Sequence, residues 1–268
     1  MVQDVTELHK IPVERVVSPR SIAEVQDLVS AHRGAISIGG GRFSMGGQIG
    51  TDGALFIDMR EMDDVLNIDV EGRTIRVEAG ITWRKIQEAI DPYDLSVQIM
   101  QSYANFTVGG SLSVNAHGRY VNKGPVVHSV RSIVLVTADG QRIHASRTEN
   151  SRVFFGAIGG YGGLGVIAEV ELNVDLNEPL ERTVERFPVS AFTSYFSENI
   201  KGSDSAVFFN ADLYPPEYDE MVSIVFSKTD RAVTIADKIQ PEKDSSALEK
   251  FTFWWVSEAP LGKDARSE

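Results

Sequence analysis

Apolar positions along this chain recur with two periods, and each period predicts its own kind of element. Ile22, Val25, Leu28 and Val29 keep helical spacing between the helix start at Ser18-Pro19-Arg20-Ser21 and a stop at Gly34. A short strand over 12–17 precedes that helix, and the apolar run 35–38 after it reads as a buried strand. Ala54-Leu55-Phe56-Ile57-Asp58 is another. Thr74-Ile75-Arg76-Val77-Glu78 alternates polar and apolar, as a half-exposed strand should, and pairs with 65–70 across the turn Glu71-Gly72-Arg73. Thr82 suits the N-cap of a helix over 83–90, which Pro92 closes. A strand is expected over 96–100. Residues 130–137 form a stronger one, turning at Ala138-Asp139-Gly140 into 141–145 as a hairpin. Residues 150–158 read as a short helix and 166–174 as a strand. From Glu178 a charged, proline-bearing stretch leads to a helix over 189–200 and strands over 206–213 and 221–226. A domain boundary is expected near residue 175.

Three glycine-rich segments interrupt this pattern, each after an apolar stretch. The first is Ile38-Gly39-Gly40-Gly41-Arg42-Phe43-Ser44. The second is Thr107-Val108-Gly109-Gly110-Ser111, running on to Asn115-Ala116-His117-Gly118. The third is Ile158-Gly159-Gly160-Tyr161-Gly162-Gly163-Leu164-Gly165. Glycine lets backbone approach a ligand closely, and bare N–H groups suit a phosphate. A tight turn explains any one such segment alone. Together they predict one long, diphosphate-bearing ligand gripped from several sides. Ser44 and Thr107 add hydroxyls, and a short helix after Gly110 would aim free N–H groups at a phosphate. Gly160-x-Gly162-x-x-Gly165 spells a dinucleotide fingerprint, but that motif belongs between a strand and a following helix. Here the helical segment precedes it and a strand follows, which weighs against a nicotinamide-binding Rossmann unit.

Composition narrows the ligand further. The chain's 268 residues suffice for a full core and one or two domains. Its net charge of −12 argues against nucleic acid and anionic membrane surfaces. An anionic dinucleotide would therefore depend on local amides rather than on overall charge. The absence of cysteine excludes disulfides, thiolate metal sites, a cysteine nucleophile and a cysteinyl cofactor link. No His/Asp/Glu cluster has metal spacing, and Ser44 lacks a nucleophile-elbow context. His117 has no evident acidic partner, and His128 and His144 read as packing or capping residues, so no catalytic base is assigned. Residues 1–11 are too polar for a signal peptide, and no apolar run approaches the ~20 residues of a membrane span. A cytoplasmic location is the expectation. The aromatic block Phe251-Thr252-Phe253-Trp254-Trp255-Val256 calls for a partner surface.

The ordered series of motifs carries a resemblance. It runs Ala35-Ile36-Ser37-Ile38-Gly39-Gly40-Gly41, Leu55-Phe56-Ile57-Asp58-Met59, Val77-Glu78-Ala79-Gly80, Thr107-Val108-Gly109-Gly110, Ala138-Asp139-Gly140 and Gly163-Leu164-Gly165-Val166-Ile167. Over about residues 12–175 it resembles the FAD-binding domain of the vanillyl-alcohol oxidase (PCMH-type) flavoproteins. Within that family it is most similar to the sugar-directed branch of aldonolactone, alditol and decaprenylphosphoryl-ribose oxidases. The resemblance implies an α+β fold: a two-subdomain FAD-binding domain over 1–175, then part of an α+β substrate domain over 176–268. It implies that Gly39, Gly40, Gly41, Arg42, Phe43 and Ser44, with Thr107, Gly109, Gly110, Ser111, Asn115, His117 and Gly118, wrap the diphosphate, ribityl chain and flavin. It places Ile167 on the adenine side. The implied reaction is oxidation of a CH–OH group of a sugar, polyol, aldonolactone or related alcohol by hydride transfer to flavin N5; the electron acceptor is unassigned. Many members bind flavin covalently through a histidine after the first glycines. Arg42-Phe43 fills that place here, so non-covalent FAD is expected. Members of the family are also longer, which suggests a truncated or split form. A non-catalytic FAD-binding part that needs a missing C-terminal segment is the alternative.

Overall fold

The computed structural model describes residues 1–214 and 216–239. The described residues divide into two compact units, Met1–Asn177 and those over 178–239.

In the first unit, β1 (Val2–Gln3) and β2 (Lys10–Ile11) form a small antiparallel pair. Next come β3 (Arg15–Val17), α1 (Ile22–Ala31), β4 (Ile36–Gly39) and β5 (Leu55–Asp58). The three strands make a parallel sheet in the order β3-β5-β4. Ser21 starts α1 by accepting the Glu24 amide, satisfying one of the helix's orphan donors. The helix buries Val25 and Val29 in a cluster with Leu55 and Ile57 of β5.

The chain then builds an antiparallel sheet. Its parts are β6 (Val65–Asp69), β7 (Thr74–Glu78), α2 (Trp83–Ile90), β8 (Leu95–Val97), α3 (Val108–Ser113), β9 (Val130–Val136), β10 (Arg142–Ser146), α4 (Ser151–Ala157) and β11 (Val166–Leu176). The order is β10-β9-β11-β7-β6, with β8 paired to the end of β11. Thr82 caps α2 by accepting the Lys85 amide. Trp83, Ile86 and Ile90 of α2, Leu112 of α3 and Phe154 of α4 fill one core with Ile75, Val77, Ile133, Leu135 and Val170 of the sheet. Val136, Val166 and Ala168 join the Leu55–Ile57 cluster, so the two sheets share apolar contacts. That junction holds β4 and α3 at a common cleft.

The second unit holds β12 (Leu180–Pro188), α5 (Phe192–Asn199), β13 (Ala206–Leu213) and β14 (Glu220–Lys228), its antiparallel sheet running β12-β14-β13. Phe192 and Phe196 of α5 lie against Phe209, ring centroids 6.4 and 5.5 Å apart.

Three expectations need correction. The charged stretch after Glu178 is a full edge strand, β12, registered with β14 from Leu180↔Lys228 to Pro188↔Glu220. Leu180, Val184 and Phe187 do not keep a two-residue period, so pairing rather than patterning makes it a strand. The strand expected over 96–100 is only Leu95–Val97. The helix expected after Gly110 begins at Val108, which puts Gly109 and Gly110 inside its first turn. The aromatic block 251–256 lies outside the described residues. Among the described residues, no helix is long and apolar enough to cross a membrane.

Candidate functional site

The three glycine segments meet. β4 delivers the first to the start of α3, where the Gly41 amide donates to Thr107 Oγ1 at 3.3 Å. A methyl on Gly40 would stand 2.1 Å from that hydroxyl oxygen, so the absent side chain is what permits the approach. Gly109 donates to the Ala79 carbonyl at 2.7 Å and anchors the second segment on the residues after β7. The third segment closes on α3, with Gly159 donating to the Leu112 carbonyl at 2.9 Å and Tyr161 to that of Ser113 at 3.0 Å. A Cβ on Gly162 would come within 3.1 Å of Ile38, which ties this turn to β4 as well. The enclosed cleft has a volume of about 260 Å³.

Gly39, Gly40, Gly41, Arg42, Phe43, Ser44, Thr107, Gly109, Gly110, Ser111 and Ile167 all line this cleft. Asn115, His117 and Gly118 are not in its lining. Asn115 turns the chain at φ 45° and accepts the Val127 amide on Oδ1 at 3.2 Å. A Cβ on Gly118 would stand 2.0 Å from the Met100 carbonyl oxygen, so this glycine serves close packing. His117 is exposed.

Among the described residues, the amides of Gly40, Arg42, Phe43, Ser44 and Gly110 donate to no protein acceptor. Four of them lie in one loop bent by Arg42, whose φ of 60° is left-handed. Consecutive amides in such a bend form a concave donor surface that suits an anion. The Arg42 guanidinium is engaged elsewhere through one amino group, while its buried Nε has no hydrogen-bond partner among the described residues. That amino group donates to Asp58 Oδ2 at 2.7 Å, and the guanidinium stands 5.2 Å from the centroid of the Phe56 ring. Arg60 donates to both oxygens of the same carboxylate, at 2.8 and 2.6 Å. Burial pushes the Asp58 carboxyl up, but hydrogen bonds and charge from Arg60, with the charge of Arg42, outweigh burial and hold it below its ordinary value. Two guanidiniums thus share one buried carboxylate beside the loop.

The Ser111 hydroxyl is also engaged internally. It accepts the indole N–H of Trp83 at 2.9 Å, lies 2.9 Å from the Thr107 carbonyl and touches the Gln101 side chain. Gln48, Gln101, Phe106 and Tyr161 join the lining without having been singled out from sequence. Phe106 had a signal, its place directly before Thr107, and its ring lies 4.4 Å from that of Phe43. Tyr161 had one too, since it stands alone among glycines in the third segment. Gln48 and Gln101 had none.

Known proteins are similar to this chain in sequence over part of its length. The FAD binding domain family matches residues 13–146. A mitochondrial L-galactono-1,4-lactone dehydrogenase from Brassica oleracea is 34% identical over 179 residues, covering 65% of this chain and 30% of that protein. Decaprenylphosphoryl-beta-D-ribose oxidase from Mycolicibacterium smegmatis is 31% identical over 185 residues, covering 67% and 37% respectively. Alditol oxidase from a Streptomyces species is 29% identical over 164 residues, covering 60% and 39%. The chain thus spans 30–39% of the length of these three relatives. The domain match runs from β3 through β10, includes both glycine segments that supply the free amides, and so makes this chain a member of the FAD-binding domain family.

Proposed function

We propose that the cleft holds FAD and that the protein oxidises a CH–OH group of a sugar, polyol, aldonolactone or related alcohol. The observation that carries the binding half is the run of unpaired amides at Gly40, Arg42, Phe43, Ser44 and Gly110, gathered where three glycine turns meet. The substrate half rests on the names of the relatives, which act on a galactonolactone, alditols and a phosphoryl-ribose. On this reading Met1–Asn177 is the FAD-binding domain, and the residues from Glu178 onward belong to a substrate domain.

The residues present fit the cofactor. The donor set is neutral amide rather than lysine, which suits a diphosphate held at close range. When bound, the flavin supplies the two-electron acceptor that no side chain provides. The protein's own part is positional. The first loop and Gly110 would hold the anionic bridge, and the Arg42–Asp58–Arg60 cluster would brace the loop from behind. Phe43 and Phe106, their rings 4.4 Å apart, give the cleft an apolar side.

We read the cofactor as non-covalent. Arg42-Phe43 offers no nucleophile at the place where the resemblance would put a flavin-linking histidine, and no histidine lines the cleft among the described residues. Acid precipitation of the yellow protein should leave the colour in the supernatant, whereas colour in the pellet overturns this reading. The activity is tested by the visible spectrum of FAD-loaded protein, followed by an anaerobic screen with polyols, aldonolactones and sugars. Bleaching of the visible flavin band is the expected result. Flavin that binds but resists bleaching by every such donor would reduce the assignment to FAD binding alone.

A further inference from the structure

Ser111 stands at a junction where one hydroxyl proton faces two acceptors. Trp83 Nε1 is a donor only and gives its proton to Ser111 Oγ. The Thr107 carbonyl, 2.9 Å away, is an acceptor only. The remaining neighbour is the Gln101 side-chain amide, with its Oε1 drawn against Ser111 Oγ. A serine hydroxyl has one proton and two lone pairs. With Gln101 Oε1 toward it, that proton cannot serve both Thr107 and Gln101, so one contact sets lone pair against lone pair. Turning the amide end for end exchanges two atoms that only their hydrogen-bond partners distinguish. Gln101 Nε2 then donates to Ser111 Oγ, which accepts twice and donates once, and all three contacts become hydrogen bonds. Ser111 is only 2% exposed, so water does not relieve the unfavourable arrangement.

We infer that Gln101 turns its carbonyl oxygen, and not its NH₂ group, into the cleft. The consequence is chemical selectivity. The first loop and Gly110 furnish the cleft with donors, and Gln101 adds an acceptor aligned by Trp83 through Ser111. An acceptor repels phosphate oxygen and selects a hydroxyl or a ring N–H. Gln101 is therefore a specificity residue for the uncharged, donor-bearing part of the ligand. This rests on the FAD reading, where the matching groups are a ribityl hydroxyl or the flavin imide N–H.

The test uses riboflavin, which carries both donors and no phosphate, titrated at pH 8 into the wild type, Gln101→Met and Gln101→Glu. Thermal unfolding of each variant checks the fold. Gln101→Met should weaken riboflavin about five- to tenfold, the scale of one lost hydrogen bond. Gln101→Glu should bind riboflavin more tightly than Gln101→Met, because a carboxylate still presents an acceptor to the cleft; the Ser111 proton cannot serve both it and Thr107, so the cost of that contact should show as a lowered thermal midpoint. Glutamate binding as weakly as methionine, or more weakly, would show that NH₂ faces the ligand and overturn the inference. Equal binding by all three overturns it as well, leaving the FAD reading intact. A wild type that binds neither riboflavin nor FAD overturns both. Lumiflavin, which keeps the imide N–H without the hydroxyl chain, distinguishes the two donors: a methionine defect that persists assigns the imide, and one that vanishes assigns a hydroxyl.

Discussion

Gly40 and Thr107 are 67 positions apart in sequence, yet the site depends on their touching. Gly40→Ala would place a methyl 2.1 Å from Thr107 Oγ1 and 3.1 Å from its Cβ. Gly40 is not left-handed, so the effect is steric rather than conformational. Threonine is stiff at χ1, and this one is buried at the start of α3 with its hydroxyl accepting the Gly41 amide. Relief requires either rotating Thr107 and breaking that bond or pushing the first loop away. Overpacking of this kind costs about 1–3 kcal/mol. Thr107→Ala alone loses the Gly41 bond, about 1 kcal/mol. In the double variant the oxygen that clashed is gone, so the two costs should not add. Urea denaturation of the four proteins should give a coupling of about 1 kcal/mol in favour of the double variant. FAD affinity should follow the same pattern, with Gly40→Ala weakest. Strict additivity in both measurements would mean that the loops do not meet.

Other consequences follow from the same geometry. Asp58→Asn leaves Arg42 and Arg60 without their carboxylate and should cost about 2 kcal/mol, below the range for a fully buried pair because Arg60 is half exposed. The folded Asp58 value lies below the unfolded one, so its stabilisation is present above the ordinary carboxylate range and is lost as pH falls through the folded value. Acid titration of stability should therefore be flatter in Asp58→Asn, and an unchanged profile would contradict the ion cluster. Glu78 is shifted the opposite way, raised first by burial and then by the charges of Asp64, Glu169 and Asp63. Glu78→Gln keeps an oxygen for the Asp64 amide and should be more stable than wild type at pH 7, a gain that disappears once the wild-type carboxyl is protonated. Tyr161 is left-handed at φ 52° and 67% exposed. Tyr161→Gly should raise stability by about 0.5 kcal/mol, and a loss would mean that the ring packs.

Much of this fold was legible because local signals and tertiary demands agree. Ser21 and Thr82 look like caps and act as caps. Thr74–Glu78 alternates and pairs on both sides, with β6 and β11. β12 was hidden because an exposed edge strand needs no apolar face, and its identity lies in the register with β14. At the site, glycines marked the places where backbone comes close, but not the object approached. Gly40 approaches Thr107, Gly118 approaches the Met100 carbonyl, and Gly41 leaves room for the Phe43 ring. Sequence could not separate these uses. Thr107 shows the same limit. It precedes α3 as a cap should, yet its hydroxyl serves Gly41 across the cleft and makes no cap bond within the helix. Gln101 enters the site only through the Ser111–Trp83 junction, which no spacing in the sequence encodes.

The most direct measurement is a parallel titration of the purified protein with FAD and riboflavin, followed by flavin fluorescence. If unpaired amides hold a diphosphate, FAD binds with a Kd at least about tenfold below that of riboflavin, the yield of one or two charge-assisted hydrogen bonds. FAD binding no tighter than riboflavin, or not at all, would contradict the account.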